Sequence, residues 1–185
     1  IGLEGMMLAG AFGAAVGAFF FDTPFAGLVT GAICGMLAAL ILAVLGVSLG
    51  VNQIVTGIAI NLLVLGLTSF LSRIVFGAQA NTLNLTGFKP FTIPGLALIP
   101  VIGPVFFNQD FLVYLMYAVV PLLYFMMFAT PWGLKIRAVG ENPRAADTAG
   151  VSVNAVRYAC VLGSGFFAGI GGCFLVLSQV YLFSE

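Results

Sequence analysis

The chain has 185 residues, 62% of them hydrophobic and 6% charged, and its formal net charge is zero. Soluble domains carry roughly 25% charged residues, so 6 basic and 6 acidic side chains cannot cover a soluble surface of this size, and the apolar surplus must face lipid. Zero net charge argues against nucleic acid as a partner, and the absence of His excludes His-ligated metals, His general bases and Ser-His-Asp triads within the chain.

The charges are also unevenly spread. None lies between Asp22 and Arg73, between Asp110 and Lys135, or between Arg157 and Glu185. A membrane span takes about 20 apolar residues, so the first gap holds two spans and each of the others one. The expected fold class is all-α: a polytopic transmembrane helix bundle with about five membrane segments, forming a single transmembrane domain over 1–185. The chain opens on an apolar run without Met or a basic leader and closes directly after another. It is therefore expected to be a fragment of a longer membrane protein.

In chain order, the first segment is expected at Gly2–Phe21 and contains Glu4, which lies either near the membrane surface or at a helix break flanked by Gly2 and Gly5. After the Asp22-Thr23-Pro24 turn the second runs over Phe25–Val47 and the third over Asn52–Ser72. Residues 77–110 hold Pro90, Pro94, Pro100 and Pro104, a density that forbids a continuous helix. The stretch is nevertheless apolar and is expected to fold back over the helix ends at one membrane face. Its Asn84-Leu85-Thr86 sequon is read as chance. The fourth segment is Phe111–Thr130, stopped by Pro131, and the fifth is Val156–Phe183.

Small residues recur at a spacing of four: Gly27, Gly31 and Gly35; Gly13 and Gly17; Gly165 and Gly169. Such faces let helix backbones approach closely in lipid, either within the chain or against a second membrane subunit. Cys34, Cys160 and Cys173 lie singly in apolar stretches and read as small buried hydrophobes. Along the third segment Gln53, Gly57, Asn61, Thr68 and Ser72 fall on one arc of the helix. Polar groups inside a membrane are costly unless they face protein or water. This stripe either lines a path for a polar solute or bonds a neighbouring helix. Glu4 is the one acidic residue inside an apolar segment, so a proton relay between two intramembrane carboxylates is not expected.

The connection 131–157 carries Lys135, Arg137, Glu141, Arg144, Asp147 and Arg157, half of the chain's charges. By the positive-inside rule it is cytoplasmic. Counting spans backwards puts 73–110 outside, 48–52 inside and Asp22 outside. Within it, Asn142 to Gly150 reads as one short helix: Asn142 as N-cap, Pro143 at N1, Gly150 at C′. Asn154 is expected to cap the next helix. A short helix slung between two spans suits a docking knob for a cytoplasmic partner.

The run Trp132-Gly133-Leu134-Lys135-Ile136-Arg137-Ala138-Val139-Gly140-Glu141-Asn142-Pro143-Arg144-Ala145-Ala146, followed by Gly150-Val151, resembles the coupling loop of ABC importer permeases. The branch is the one carrying branched-chain amino acids, ribose-like sugars and nucleosides. The opening Ile1-Gly2-Leu3-Glu4-Gly5-Met6-Met7-Leu8 and Asn52-Gln53-Ile54-Val55-Thr56-Gly57 with Asn61 most resemble its nucleoside members linked to BMP lipoproteins. The resemblance implies a permease subunit of an ATP-driven importer in a bacterial cell (inner) membrane. It would move a nucleoside or, alternatively, a sugar, a branched-chain amino acid or a riboflavin-like solute.

Its implied partners are cytoplasmic ABC ATPase subunits, a second permease subunit and an extracytoplasmic solute-binding lipoprotein. The residues implied for ATPase coupling are Gly140, Glu141, Asn142, Pro143, Arg144, Ala145, Ala146, Asp147 and Gly150. The polar stripe on the third segment, with the one intramembrane carboxylate, gives the candidate substrate-pathway residues Glu4, Gln53, Asn61 and Thr68. No catalytic residue, metal or cofactor is expected. The chain has no Gly-x-x-x-x-Gly-Lys-Ser/Thr phosphate loop, so ATP hydrolysis would fall to a separate subunit. An ATP-independent transporter or channel would need intramembrane charge pairs or an ion site. A membrane-embedded enzyme would need a cluster of catalytic side chains at one depth. The sequence offers little of either.

Overall fold

The computed structural model describes residues 2–77, 91–92 and 108–180. Five apolar helices long enough to cross a membrane run through them. Helix α1 spans Leu3–Phe21. Helix α2 spans Pro24–Ala43 and continues through a π-helical turn, Val44–Ser48. Helix α3 spans Gln53–Phe76, with the Asn52 side chain accepting from the Ile54 N–H as its N-cap. Helix α4 is Phe111–Ala129, and two shorter helices follow, α5 (Pro131–Glu141) and α6 (Pro143–Thr148). Helix α7 is Val153–Phe174, extended by a π-helical turn over Leu175–Val180. A helix satisfies its own backbone, which is why it is the natural form for an apolar run in lipid. A two-residue antiparallel ladder pairs β1 (Phe91–Thr92), midway along the Pro-rich segment, with β2 (Asn108–Gln109) near its end. The rest of that segment, with the sequon and the fold-back expected of it, lies outside the described residues.

The expected spans are therefore present, with shifted ends. The last helix starts at Val153, three residues before the expected Val156, with Ser152 rather than Asn154 at its N-cap position and no side-chain cap bond there. Asn154 sits inside the first turn and caps nothing there. The expected end at Phe183 lies outside the described residues.

The core is a trio, α1, α2 and α7, packed backbone to backbone. A Cβ built on Gly35 would lie 2.6 Å from the Gly165 carbonyl oxygen and 2.6 Å from the Gly169 Cα, and one on Gly10 would lie 2.5 Å from that same Cα. The small-residue spacing thus serves packing within the chain. Polar groups reinforce it: the Thr30 hydroxyl reaches the Gly13 carbonyl at 2.8 Å. The buried Cys173 thiol lies 3.8 Å from the carbonyl oxygens of Gly10, Gly27 and Leu28. Cys34 is half-buried and Cys160 exposed, so only Cys173 is the buried small residue expected of all three.

Helix α3 flanks the trio through Ile60, Val64 and Phe76. Helix α4 does so through Leu112. The ends of the bundle sort consistently. Phe19 meets Phe76 and Phe25 meets Phe111, each pair with ring centroids 5.5 Å apart, at one end. At the other, Ser48 and Tyr158 share a hydrogen bond.

Candidate functional site

Two places in the bundle combine polar chemistry with unusual backbone. The first is the start of α1. Gly2, its N-cap, has φ +95° and offers no side-chain cap. A helix start leaves four N–H groups without partners in the helix. One of them, on Gly5, donates to Asn61 Oδ1 of α3 at 2.9 Å. The helices approach closely: a Cβ on Gly2 would sit 3.3 Å from the Gly57 Cα. Gly2 and Gly5 are buried, Asn61 is half-buried, and Glu4 is exposed. Glu4 sits in the first turn of α1, between Gly2 and Gly5.

The rest of the expected pathway stripe is dispersed. Gln53 is exposed in the first turn of α3, with its side chain beside Gly46. It lies two turns, or about 12 Å, along the helix from Asn61. Thr68 is buried, its hydroxyl donating to the Val64 carbonyl at 2.8 Å. Ser72, buried too, donates to the Ser69 carbonyl at 3.0 Å. Thr68 and Ser72 lie on the same helix face as Val64 and Phe76, which pack with residues of α1. The structure therefore brings Asn61 to the turn carrying Glu4, but neither Gln53 nor Thr68.

The second place is the run from Thr130 to Arg157. Helix α5 adds eleven helical residues ahead of the short helix expected from Asn142 to Gly150. It starts with the Thr130 hydroxyl accepting from the Gly133 N–H at 3.4 Å and with Pro131 in its first turn. Gly140 and Glu141 form its exposed last turn. Asn142 then ends α5 and caps α6, its Oδ1 accepting from the Ala145 N–H at 3.1 Å, with Pro143 following as N1. The stop signal is also as expected. Gly150 takes φ +84°, its N–H bonds the Asp147 carbonyl at 2.9 Å, and the Val151 N–H reaches back to the Ala146 carbonyl at 3.0 Å. This paired arrangement satisfies the last carbonyls of a helix.

A small core of Val139, Ala146 and Val156, flanked by Ile136, Val151 and Val153, welds α5, α6 and the start of α7 into one unit. Ala146 thus faces inward, whereas Arg144, Ala145, Asp147, Thr148 and Ala149 are exposed. Beside them a cavity of about 390 Å³ is lined by Arg144, Asp147, Ser152, Asn154 and Arg157. Among the described residues no group of three or more His, Cys, Asp or Glu side chains comes together to hold a metal ion.

Apolar spans, with a cap-bounded helix slung between the last two, define a multi-pass membrane protein. The chain matches the family "Branched-chain amino acid transport system / permease component" over residues 1–184, and it belongs to that family. It is 39% identical over 179 residues to the guanosine ABC transporter permease protein NupQ of Bacillus subtilis, across 93% of this chain and 56% of that protein. It is 40% identical over 180 residues to the nucleoside ABC transporter permease protein NupC of Lactococcus lactis, across 93% of this chain and 56% of that protein. The chain spans little more than half the length of these curated relatives. No solved structure matches it.

Proposed function

We propose that the chain forms the membrane-spanning permease part of an ATP-driven ABC importer in a bacterial cell membrane, and that the solute it passes is a nucleoside. The observation that carries this reading is α6: six residues fixed at both ends by Asn142 and Gly150 and presenting a charged outer face. A helix this short is unstable alone, so its caps and the Val139–Ala146–Val156 core make it a rigid knob. The four basic residues Lys135, Arg137, Arg144 and Arg157 put this run, 131–157, in the cytoplasm. There α6 docks on a separate ATPase through Arg144, Ala145 and Asp147, with Gly140, Glu141, Asn142, Pro143 and Gly150 shaping the surface around them.

Docking at α6 moves α7 directly, since Ala146 packs on Val156. Two residues further on, Tyr158 bonds Ser48, just before the turn into α3. Helix α3 in turn holds the α1 start through Asn61. The pathway follows this side of α3, where Glu4 offers a carboxylate and Gln53 an amide, and where Asn61 holds the turn that carries Glu4. A carboxylate only accepts hydrogen bonds, while an amide donates and accepts, which suits ribose hydroxyls and base edges. Thr68 closes the seam with α1 in this conformation. A second permease subunit completes the pathway, and an extracytoplasmic lipoprotein delivers the solute.

The test is uptake of tritiated guanosine into proteoliposomes holding the full-length permease with its ATPase, the binding protein added outside the face opposite the ATPase. ATP-dependent uptake is expected. Uptake that proceeds without ATP would instead support a secondary transporter.

A further inference from the structure

We propose that Asn61 is a positioning residue: a cap supplied from α3 to the first turn of α1, whose task is to fix Glu4. The proposal rests on the pathway reading above and adds a mechanism to it. A helix start usually finds its cap in the preceding side chain. Here that position is Gly2, which has none. Asn61, 56 residues away in the chain, provides the acceptor instead. The contact atom is fixed by chemistry, since an N–H donor requires the amide oxygen and not the amide nitrogen.

The bonded N–H belongs to the peptide group joining Glu4 to Gly5. That group is planar, so holding its N–H also holds the Glu4 carbonyl and Cα. The glycines on either side sink into α3 while the Glu4 side chain stays outside. Space is tight: a Cβ on Gly5 would lie 2.8 Å from Asn61 Oδ1 and 3.1 Å from its Cα. Gly2 pairs its close approach to Gly57 with φ +95°, a backbone that L side chains rarely adopt. Together these contacts hold the backbone from which the Glu4 carboxylate projects at the start of α1. Asn61 thereby acts on the solute through Glu4, with its oxygen already engaged by the protein.

This role separates from direct solute contact by one substitution. Asn61→Asp keeps an oxygen acceptor, and its negative charge is favourable at a helix N-terminus, but it loses the amide donor. Asn61→Leu loses both. Two readouts on the full-length transporter are needed. Hydrogen–deuterium exchange of the peptide spanning residues 3–8 reads the Gly5 N–H without reference to any solute. Uptake kinetics of tritiated guanosine read the consequence for Glu4.

Asn61→Leu is expected to speed exchange at Gly5 about tenfold and to raise KM by a similar factor, the scale of one lost hydrogen bond. Asn61→Asp is expected to stay close to the parent in both. Gly5→Ala, which pushes the Asn61 oxygen away, should also speed exchange at position 5, and it serves if Asn61→Leu does not fold. Unchanged exchange in both Asn61→Leu and Gly5→Ala would overturn the proposal. So would Asn61→Asp losing uptake while its exchange stays slow, because Asn61 would then touch the solute through its amide. If the parent takes up no guanosine, the nucleoside reading fails, and the exchange data alone decide the positioning role.

Discussion

Helices α1 and α4 have the same length, 19 residues, and both are apolar apart from Glu4 in the first turn of α1. Yet α1 is half buried in the bundle, and α4 buries only Leu112. The difference lies in side-chain size. Helix α1 carries Gly5, Gly10, Gly13 and Gly17 with Ala11, Ala14, Ala15 and Ala18 on its buried face. Helix α4 has no glycine; its Tyr, Phe, Met and Leu side chains point largely outward, and an apolar cavity of about 630 Å³ separates part of it from α7. Lipid tails are as apolar as these side chains, so burial gives no drive between helices and close contact depends on how near the backbones can come. In this bundle hydrophobicity selects what enters the membrane, and smallness selects what packs there.

That contrast can be broken by substitution. The largest effect is expected for Gly169→Leu. A Cβ there would already lie 2.7 Å from the Gly31 carbonyl oxygen and 3.1 Å from the Ala32 Cα. Overpacking costs about 1–3 kcal/mol, at times more, and should show as a lowered thermal midpoint and loss of monodisperse protein. Thr30→Val removes the 2.8 Å bond to Gly13 and should cost less, about 0.6 kcal/mol by the average for interhelical hydrogen bonds in membranes. The smallest effect is expected for Leu122→Ala in α4, whose side chain is 65% exposed. It should stay within about 0.5 kcal/mol. A harmless Gly169→Leu, or a Leu122→Ala as damaging as it, would contradict the rule.

Much of this was legible in the sequence, and the reasons for the rest are physical. Charge gaps and apolar length located the spans, because the cost of burying backbone and charge in lipid leaves few alternatives. The caps of α6 were legible at Asn142, Pro143 and Gly150, since each is a local requirement. Helix α5 was missed because Gly133, Gly140 and three charges dilute its signal, and only the spacing of Gly133, Ile136 and Val139 marks its inner face. The Asn61–Gly5 bond joins residues 56 apart, and the inward direction of Ala146 depends on Val139 and Val156 in two neighbouring helices, so neither shows within one element's own pattern. The stripe on α3 reads as one-sided in the sequence, but one-sidedness does not distinguish a seam from a path: Thr68 lies in the seam, Asn61 at its edge and Gln53 outside it. The π-helical turns at Val44–Ser48 and Leu175–Val180 had no signal we recognised.

The central functional claim is that α6 is the contact through which a separate ATPase drives this bundle. Ala145→Trp tests it most directly. Ala145 is exposed, and its contribution to the helix is made by its backbone, so a bulky side chain there leaves the Val139–Ala146–Val156 core intact. In the purified protein with the ATPase proposed for it, this substitution is expected to release the ATPase or to abolish solute-stimulated ATP hydrolysis, while the thermal midpoint of the membrane bundle stays unchanged. Full ATPase retention with normal stimulation in Ala145→Trp would contradict the claim and leave α6 a capped loop helix without a coupling role.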